Sequence, residues 1–131
     1  MAQDHVEIVR SVYERWAEGD FRTDAVFDPN LVFILPAGFP DSGTYIGPDE
    51  IAAYTRGFLE PWIHITIEAE ELLPAGDSVL ATVIQRATGD VSGAETDFRY
   101  FQLWSLRAGK VIRLENFRER DEALEAAGLA G

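Results

Sequence analysis

The sequence predicts an α+β domain: an antiparallel sheet with its helices gathered on one side. Three observations carry this. Val6, Val9, Val12, Tyr13 and Trp16 recur at helical spacing and make one apolar stripe. From Ile63 onward the chain alternates apolar and polar residues through four consecutive stretches divided by short turns, a pattern that favours antiparallel neighbours. The last two stretches, within ETDFRYFQLWSLRAGKVIRLENFR (95–118), read as a long hairpin joined at Arg107-Ala108-Gly109-Lys110.

Taken in order, Asp4-His5-Val6-Glu7 fits a capping box that opens the first helix, and Gly19 ends it. Asp20 suits the cap of a short second helix running towards Phe27, followed by a turn at Asp28-Pro29-Asn30. Leu31 to Leu35 is a strand stopped by Pro36, and Ala37 to Gly47 is a loop rich in Gly and Pro. Gly47-Pro48-Asp49-Glu50 starts a helix, with Pro at the first position and acids in the first turn. Ile63 to Leu73 and Val79 to Thr88 are strands around the turn Pro74-Ala75-Gly76-Asp77. A loop from Gly89 to Ala94 leads into the hairpin, and Arg120 to Ala127 closes the chain as a short helix.

On the first hairpin strand Phe98, Tyr100, Trp104 and Leu106 share one face, and Phe101 and Leu103 share the other, flanked by Asp97, Arg99 and Ser105. Both faces are apolar at their centre, so each needs a cover. The return strand alternates less cleanly, with Ile112, Leu114 and Asn116 on one face and Val111, Arg113, Glu115 and Phe117 on the other.

The 131 residues suit a single domain that buries roughly two-thirds of its unfolded surface. A net charge of −12 argues against nucleic acid and anionic membranes, which need clustered Lys and Arg. With no Cys, no disulfide, thiolate nucleophile or zinc–thiolate site is available. The opening MAQDHVEIVR has no signal-peptide core and no apolar run spans a bilayer, so a cytoplasmic protein is expected.

The element order, with particular residues, resembles the SnoaL-like branch of the nuclear transport factor two-like superfamily. The matching stretches are VYERWAEGD (12–20) closing the first helix, YIGPDEI (45–51) opening the next long one, WSLRAGKV (104–111) at the hairpin and RDEALEAAGL (120–129) at the end. The resemblance covers essentially the whole chain. It implies a cone: a curved antiparallel sheet wrapped around the N-terminal helices, with an apolar pocket between its concave face and those helices. It also implies a homodimer through the convex face, which would cover the second face of the hairpin.

The relatives include ketosteroid isomerase, limonene epoxide hydrolase, scytalone dehydratase and the polyketide cyclases. Their acids and bases are not kept here. Ketosteroid isomerase has an Asp base before a Pro where this chain has Leu35 and Pro36. Aligning on Gly19-Asp20 puts Val12 at its helix Tyr, with Tyr13 about 100° further round, and aligning on Gly109-Lys110 puts Phe101 at its second Asp. The Asp of the cyclases and the epoxide hydrolase on the last strand corresponds to Asn116, an amide that does not titrate. A one-residue slip would bring Glu115 inward instead. Ile84-Gln85-Arg86 offers no match for the epoxide hydrolase's Arg-x-Asp pair.

The candidate ligand-contact residues form three groups. Trp16, Tyr54, Phe58, Trp62 and Phe101 supply an aromatic wall, or plain core packing; Leu35, Leu103 and Leu114 supply aliphatic surface. Asn116 and Arg99 are the polar candidates; an inward Arg99 would favour a carboxylate or phenolate, and an outward one would form a rim ion pair. His5 and His64 read as exposed and make no metal site. There is no Gly-rich phosphate loop and no Ser-His-Asp set, and neither metal nor cofactor is expected. The resulting expectation is a SnoaL-like protein that binds a small, largely apolar ligand in an enclosed pocket. The alternative is a cofactor-independent lyase, isomerase or cyclase acting on a polyketide- or steroid-like metabolite, with Glu115, Asp97 or Tyr13 as its titrating group. A third reading is a protein-interaction domain that uses the convex sheet.

Overall fold

The computed structural model describes residues 2–20, 26–39, 42–59, 62–89 and 95–129; of these, the side chains of 2–4, 58, 59 and 62–64 lie outside the description. Helix α1 runs Ala2–Ala17, followed by strands β1 (Phe27–Leu35) and β2 (Gly43–Ile46) and helix α2 (Gly47–Leu59). Strands β3 (Trp62–Ala75), β4 (Ser78–Gly89), β5 (Glu95–Arg107) and β6 (Lys110–Phe117) then follow, and α3 (Arg120–Ala126) closes the chain. The six strands form one sheet in the order β2-β1-β6-β5-β4-β3. Every pairing is antiparallel except that of β1 with β6, the first and last strands in sequence, which is parallel.

Helix α1 packs its stripe on the inner face of the sheet. Val9 and Val12 are fully buried, with Val6 and Tyr13 beside them. The inner cluster also takes Ile67 of β3, Val79, Ala81 and Val83 of β4, Tyr100, Trp104 and Leu106 of β5, and Val111 and Leu114 of β6. Val111 and Leu114 share this face because the β5–β6 register slips between Ser105 and Leu106: Ser105 pairs with Arg113 but Leu106 with Val111. Ile112 is therefore an extra residue, a bulge that re-aims the start of β6. A second slip in β3, between Ala69 and Glu71, has the same effect on the opposite side of the sheet. Bulges bend strands, and the sheet curves around α1.

The outer face carries a smaller cluster of Leu80, Phe101, Leu103 and Ala123, with Leu73, Phe117, Leu124 and Ala127 packed against it. Helix α3 thus provides, within one chain, the cover that a second copy was expected to give this part of the hairpin. Around it the outer face is charged, with Arg99 paired to Glu70, Arg86 to Glu68, Arg113 to Glu115 and Arg120 to Glu71.

Several local expectations change. Helix α1 starts at Ala2, so Asp4 and Glu7 lie inside it instead of opening it. The expected second helix falls on residues 21–25, outside the described residues, and Phe27 belongs to β1. The turn at Asp28-Pro29-Asn30 is also strand, although its local contact survives: the Asn30 backbone N–H donates to Asp28 Oδ1 at 2.8 Å. The Gly- and Pro-rich loop contains β2, recruited by pairing Val32 to Leu35 with Ile46 to Gly43. Backbone pairing at a sheet edge leaves little trace in side-chain alternation.

The β5–β6 loop holds both central residues in the left-handed region, Ala108 at φ 53 and Gly109 at φ 77. A two-residue hairpin loop of this hand favours Asn-Gly, and Ala carries a steric penalty there. Ala108→Asn is therefore expected to stabilise the fold by up to about 1 kcal/mol, read as a higher urea midpoint with an unchanged slope.

Candidate functional site

The inner face of β5 places Phe98, Tyr100, Gln102, Trp104 and Leu106 towards α1. Gln102 is the one polar side chain in that row and is only 3% exposed. Opposite it on β6 lies Asn116, 1% exposed, its direct partner in the ladder. A buried amide must find hydrogen bonds or cost stability. These two do so through a chain that crosses the molecule. Trp104 Nε1–H donates to the Tyr13 hydroxyl at 2.8 Å. That hydroxyl donates to Gln102 Oε1 at 2.5 Å, Gln102 Nε2 to Asn116 Oδ1 at 3.0 Å, and Asn116 Nδ2 to the Ile34 carbonyl at 2.9 Å. One helix and three strands are joined by groups that carry no charge.

Aromatic rings surround this chain. Trp104 is fully buried between Tyr13, Trp16 and Phe27, with ring centroids 5.4, 5.6 and 6.3 Å away. Phe39, Phe98 and Tyr100 form a second group at 5.2 to 5.9 Å. Phe33, Tyr45 and Tyr54 form a third at 5.0 to 6.3 Å. The Phe39 loop is braced by Arg118, whose Nη1 reaches the Gly38 carbonyl at 3.4 Å. Burial raises the Tyr13 phenol well above its ordinary value, partly opposed by the Trp104 hydrogen bond. Burial, and then Tyr54 nearby, raises Tyr100. Both phenols are hydrogen-bond donors and neither is a base at neutral pH.

Of the residues expected to contact a ligand, the structure gathers Leu35 and Leu114 in the inner cluster with Trp16 and Tyr54 packed on it, and aims Asn116 inward. Arg99, Phe101 and Leu103 lie on the outer face instead. Phe101 and Leu103 sit under α3, and Arg99 is exposed, donating to both carboxylate oxygens of Glu70 at 2.7 and 3.1 Å. The cause is parity: Phe98, Tyr100 and Trp104 face inward, so the odd-numbered residues of β5 face out. The side chains of Phe58 and Trp62 lie outside the described residues.

Between the alternatives for β6, Asn116 faces in and Glu115 faces out beside Arg113. Asp97 is exposed, opposite Arg86. His5 is half-buried rather than exposed, and its Nδ1 is buried without a partner. It shares the helical face of Val9, Val12 and Trp16, a spacing already present in the sequence. Tyr100, Gln102 and Trp104 were absent from the expected contact set. Gln102, a lone amide at the centre of an apolar row, was the available signal.

Among the described residues no group of three or more His, Asp and Glu side chains is placed to hold a metal, and no helix is long and apolar enough to cross a membrane.

Removing the Tyr13 hydroxyl would strand both the Trp104 N–H and the Gln102 carbonyl. Tyr13→Phe is expected to cost about 1–3 kcal/mol by urea unfolding. Adding Gln102→Leu should cost less than the sum of the two single changes, because both act on one network.

The raised phenols also predict a pH dependence. Above the ordinary phenol value of 10.0 the unfolded chain releases protons that the native state keeps. The stability from neutral Tyr13 and Tyr100 is thus fully present below that pH and is lost as the pH rises above it. The expected slope approaches about 1.4 kcal/mol per pH unit for each tyrosine. Unfolding titrations between neutral and strongly alkaline pH measure it, and Tyr100→Phe should roughly halve it.

Comparison with known proteins places this geometry in a family. The model of the SnoaL-like domain matches residues 9–114. No curated protein matches the chain in sequence. Among solved structures, a nuclear transport factor two-like protein from Burkholderia thailandensis is 27% identical, with a TM-score of 0.76 over 96% of each chain. Bal32a, from a soil-derived mobile gene cassette, is 19% identical at a TM-score of 0.78, over 99% of this chain and 98% of its own. TerC, co-crystallised with polyporic acid, is 17% identical at 0.74, over 95% of this chain and 98% of its own. The shared fold is nuclear transport factor two-like, and the family-model match over most of the chain means that this protein belongs to the SnoaL-like domain family.

Proposed function

We propose that this protein binds a small, largely apolar organic ligand in the interior between α1 and the concave face of the sheet. The observation that carries the proposal is the buried row of neutral hydrogen-bonding groups, Tyr13, Gln102 and Asn116, inside an aromatic shell. Ligand sites combine apolar walls with a few polar groups that fix orientation, and this interior has that composition. The polyporic acid in crystals of TerC, a protein of the same fold, supports the reading.

The catalytic alternative has less to stand on. Glu115 and Asp97 face outward, and Tyr13 can donate a proton in a hydrogen bond but cannot act as a base. No carboxylate among the described residues is buried. General-base chemistry needs such a group within hydrogen-bond reach of the reacting atom. Binding and orientation are what these side chains can perform.

Thermal-shift screening against small aromatic and terpenoid compounds tests the proposal. A ligand at about a hundred times its Kd should add about 2.7 kcal/mol of stability. Hits whose affinity falls on Gln102→Leu or on Tyr100→Phe support an inner site; hits that ignore both changes, or a panel with no hits, would remove it.

A further inference from the structure

The inner polar groups differ in how firmly they are held. Tyr13, Gln102 and Asn116 are engaged at 2.5 to 3.0 Å in a chain that ends on the Ile34 carbonyl. Tyr100 stands outside that chain. It is 6% exposed, and its hydroxyl donates to Gln85 Oε1 across 3.4 Å. That is long for an O–H···O bond, where about 2.7–2.8 Å is usual. The Tyr100 hydroxyl is therefore less committed than the phenol and amides of that chain. Its surroundings are flat and apolar. Phe98 stacks on the Tyr100 ring at 5.2 Å and 24°, and Phe39 meets both rings edge-on at 5.8 and 5.9 Å.

Charge decides what this donor can receive. Among the described residues every Lys and Arg is exposed except Arg15, which is half-buried and lies 3.5 Å from Asp20. Among the described residues an anion entering the interior would shed its hydration and meet no fully buried Lys or Arg, which is costly. An uncharged carbonyl loses far less on leaving water and gains a hydrogen bond. Burial, with Tyr54 beside it, keeps the Tyr100 phenol in the neutral form that donates.

The geometry points to Tyr100 as the residue that orients the ligand, donating its hydroxyl to the carbonyl oxygen of an uncharged, planar aromatic compound, with carboxylates excluded. This rests on the ligand-binding reading above and narrows it to a chemical class and a contact.

The test uses three probes of one shape: 2-acetylnaphthalene, 2-naphthoate and naphthalene, titrated at neutral pH into the full chain. The ketone should bind at least about tenfold more tightly than the carboxylate. Tyr100→Phe, which keeps the ring and its packing, should weaken the ketone by about tenfold and leave naphthalene unchanged. Gln85→Leu releases the hydroxyl from its present acceptor and should hold or raise ketone affinity. A carboxylate that binds as tightly as the ketone overturns the charge argument. Ketone affinity unaltered by Tyr100→Phe overturns the assignment of the donor. If none of the three binds while the wider panel gives hits, this inference fails alone; if the panel is also silent, the ligand-binding reading falls with it.

Discussion

The chain of hydrogen bonds from Trp104 through Tyr13, Gln102 and Asn116 to the Ile34 carbonyl is the constraint on which the arrangement of helix and sheet depends. Dispersion and the hydrophobic effect would let α1 slide or rotate on a surface of valines and leucines, since neither is directional. A buried amide is not so tolerant. In a low-dielectric interior each donor and acceptor must meet its partner, and a shift of one residue would leave several unsatisfied. Tyr13 is thereby fixed in rotation, and α1 with it. Gln102 and Asn116 pin β5 to β6, and the last link carries the pin to β1, whose pairing with β6 is the one parallel contact in the sheet.

The hairpin can be buried on both faces only because its two strands keep separate accounts of inside and outside. Ile112 is the device that makes this possible. Without the extra residue, Val111 would share a face with Arg113 and Phe117; with it, Val111 joins Leu114 and Asn116 on the inner side, and Phe117 completes the outer cluster with Phe101. Helix α3 follows directly after β6, so Ala123, fully buried, and Leu124 fold back over that outer cluster. Helices from the two ends of the chain thus pack on opposite faces of the β5–β6 hairpin, α1 on the inner and α3 on the outer.

Much of this was legible in the residues. The α1 stripe, the helix start at Gly47-Pro48-Asp49-Glu50, the two-residue loop at Ala108-Gly109 and the alternation of β3 to β5 follow from periods and turn chemistry, and the order of elements pointed to the fold. What stayed hidden depends on contacts between distant parts of the chain. β2 exists because β1 offers it an edge, and β1 meets β6 in parallel because of topology. The site was half legible for a related reason. Period two separates the faces of β5 correctly but does not say which is inside, and aligning on Gly109-Lys110 assigned the inner face of β5 to the wrong parity, although the same anchor put Asn116 of β6 on the inner side, where the structure has it. Arg99, Phe101 and Leu103 were placed inward on that count, whereas Tyr100, Gln102 and Trp104 hold those positions.

The division of charge between the two faces follows from the same geometry and bears on what the interior can do. With a net charge of −12, most acids must lie in solvent, and the exposed arginines of the outer strands engage several of them. Exposed pairs of this kind contribute little stability, but they hold positive charge away from the concave side. Among the described residues the interior is left with phenols, amides, the indoles of Trp16 and Trp104 and the half-buried imidazole of His5, and with no buried carboxylate, Lys or Arg. Such groups discriminate by direction and reach rather than by charge. A ligand that lacks a matching acceptor would leave a donor desolvated and unpaired, and that penalty exceeds the gain of an ordinary hydrogen bond. For the ligand proposed above, selectivity would therefore reside in the direction of these polar groups, and the aromatic rings around them would supply contact area without choosing among ligands.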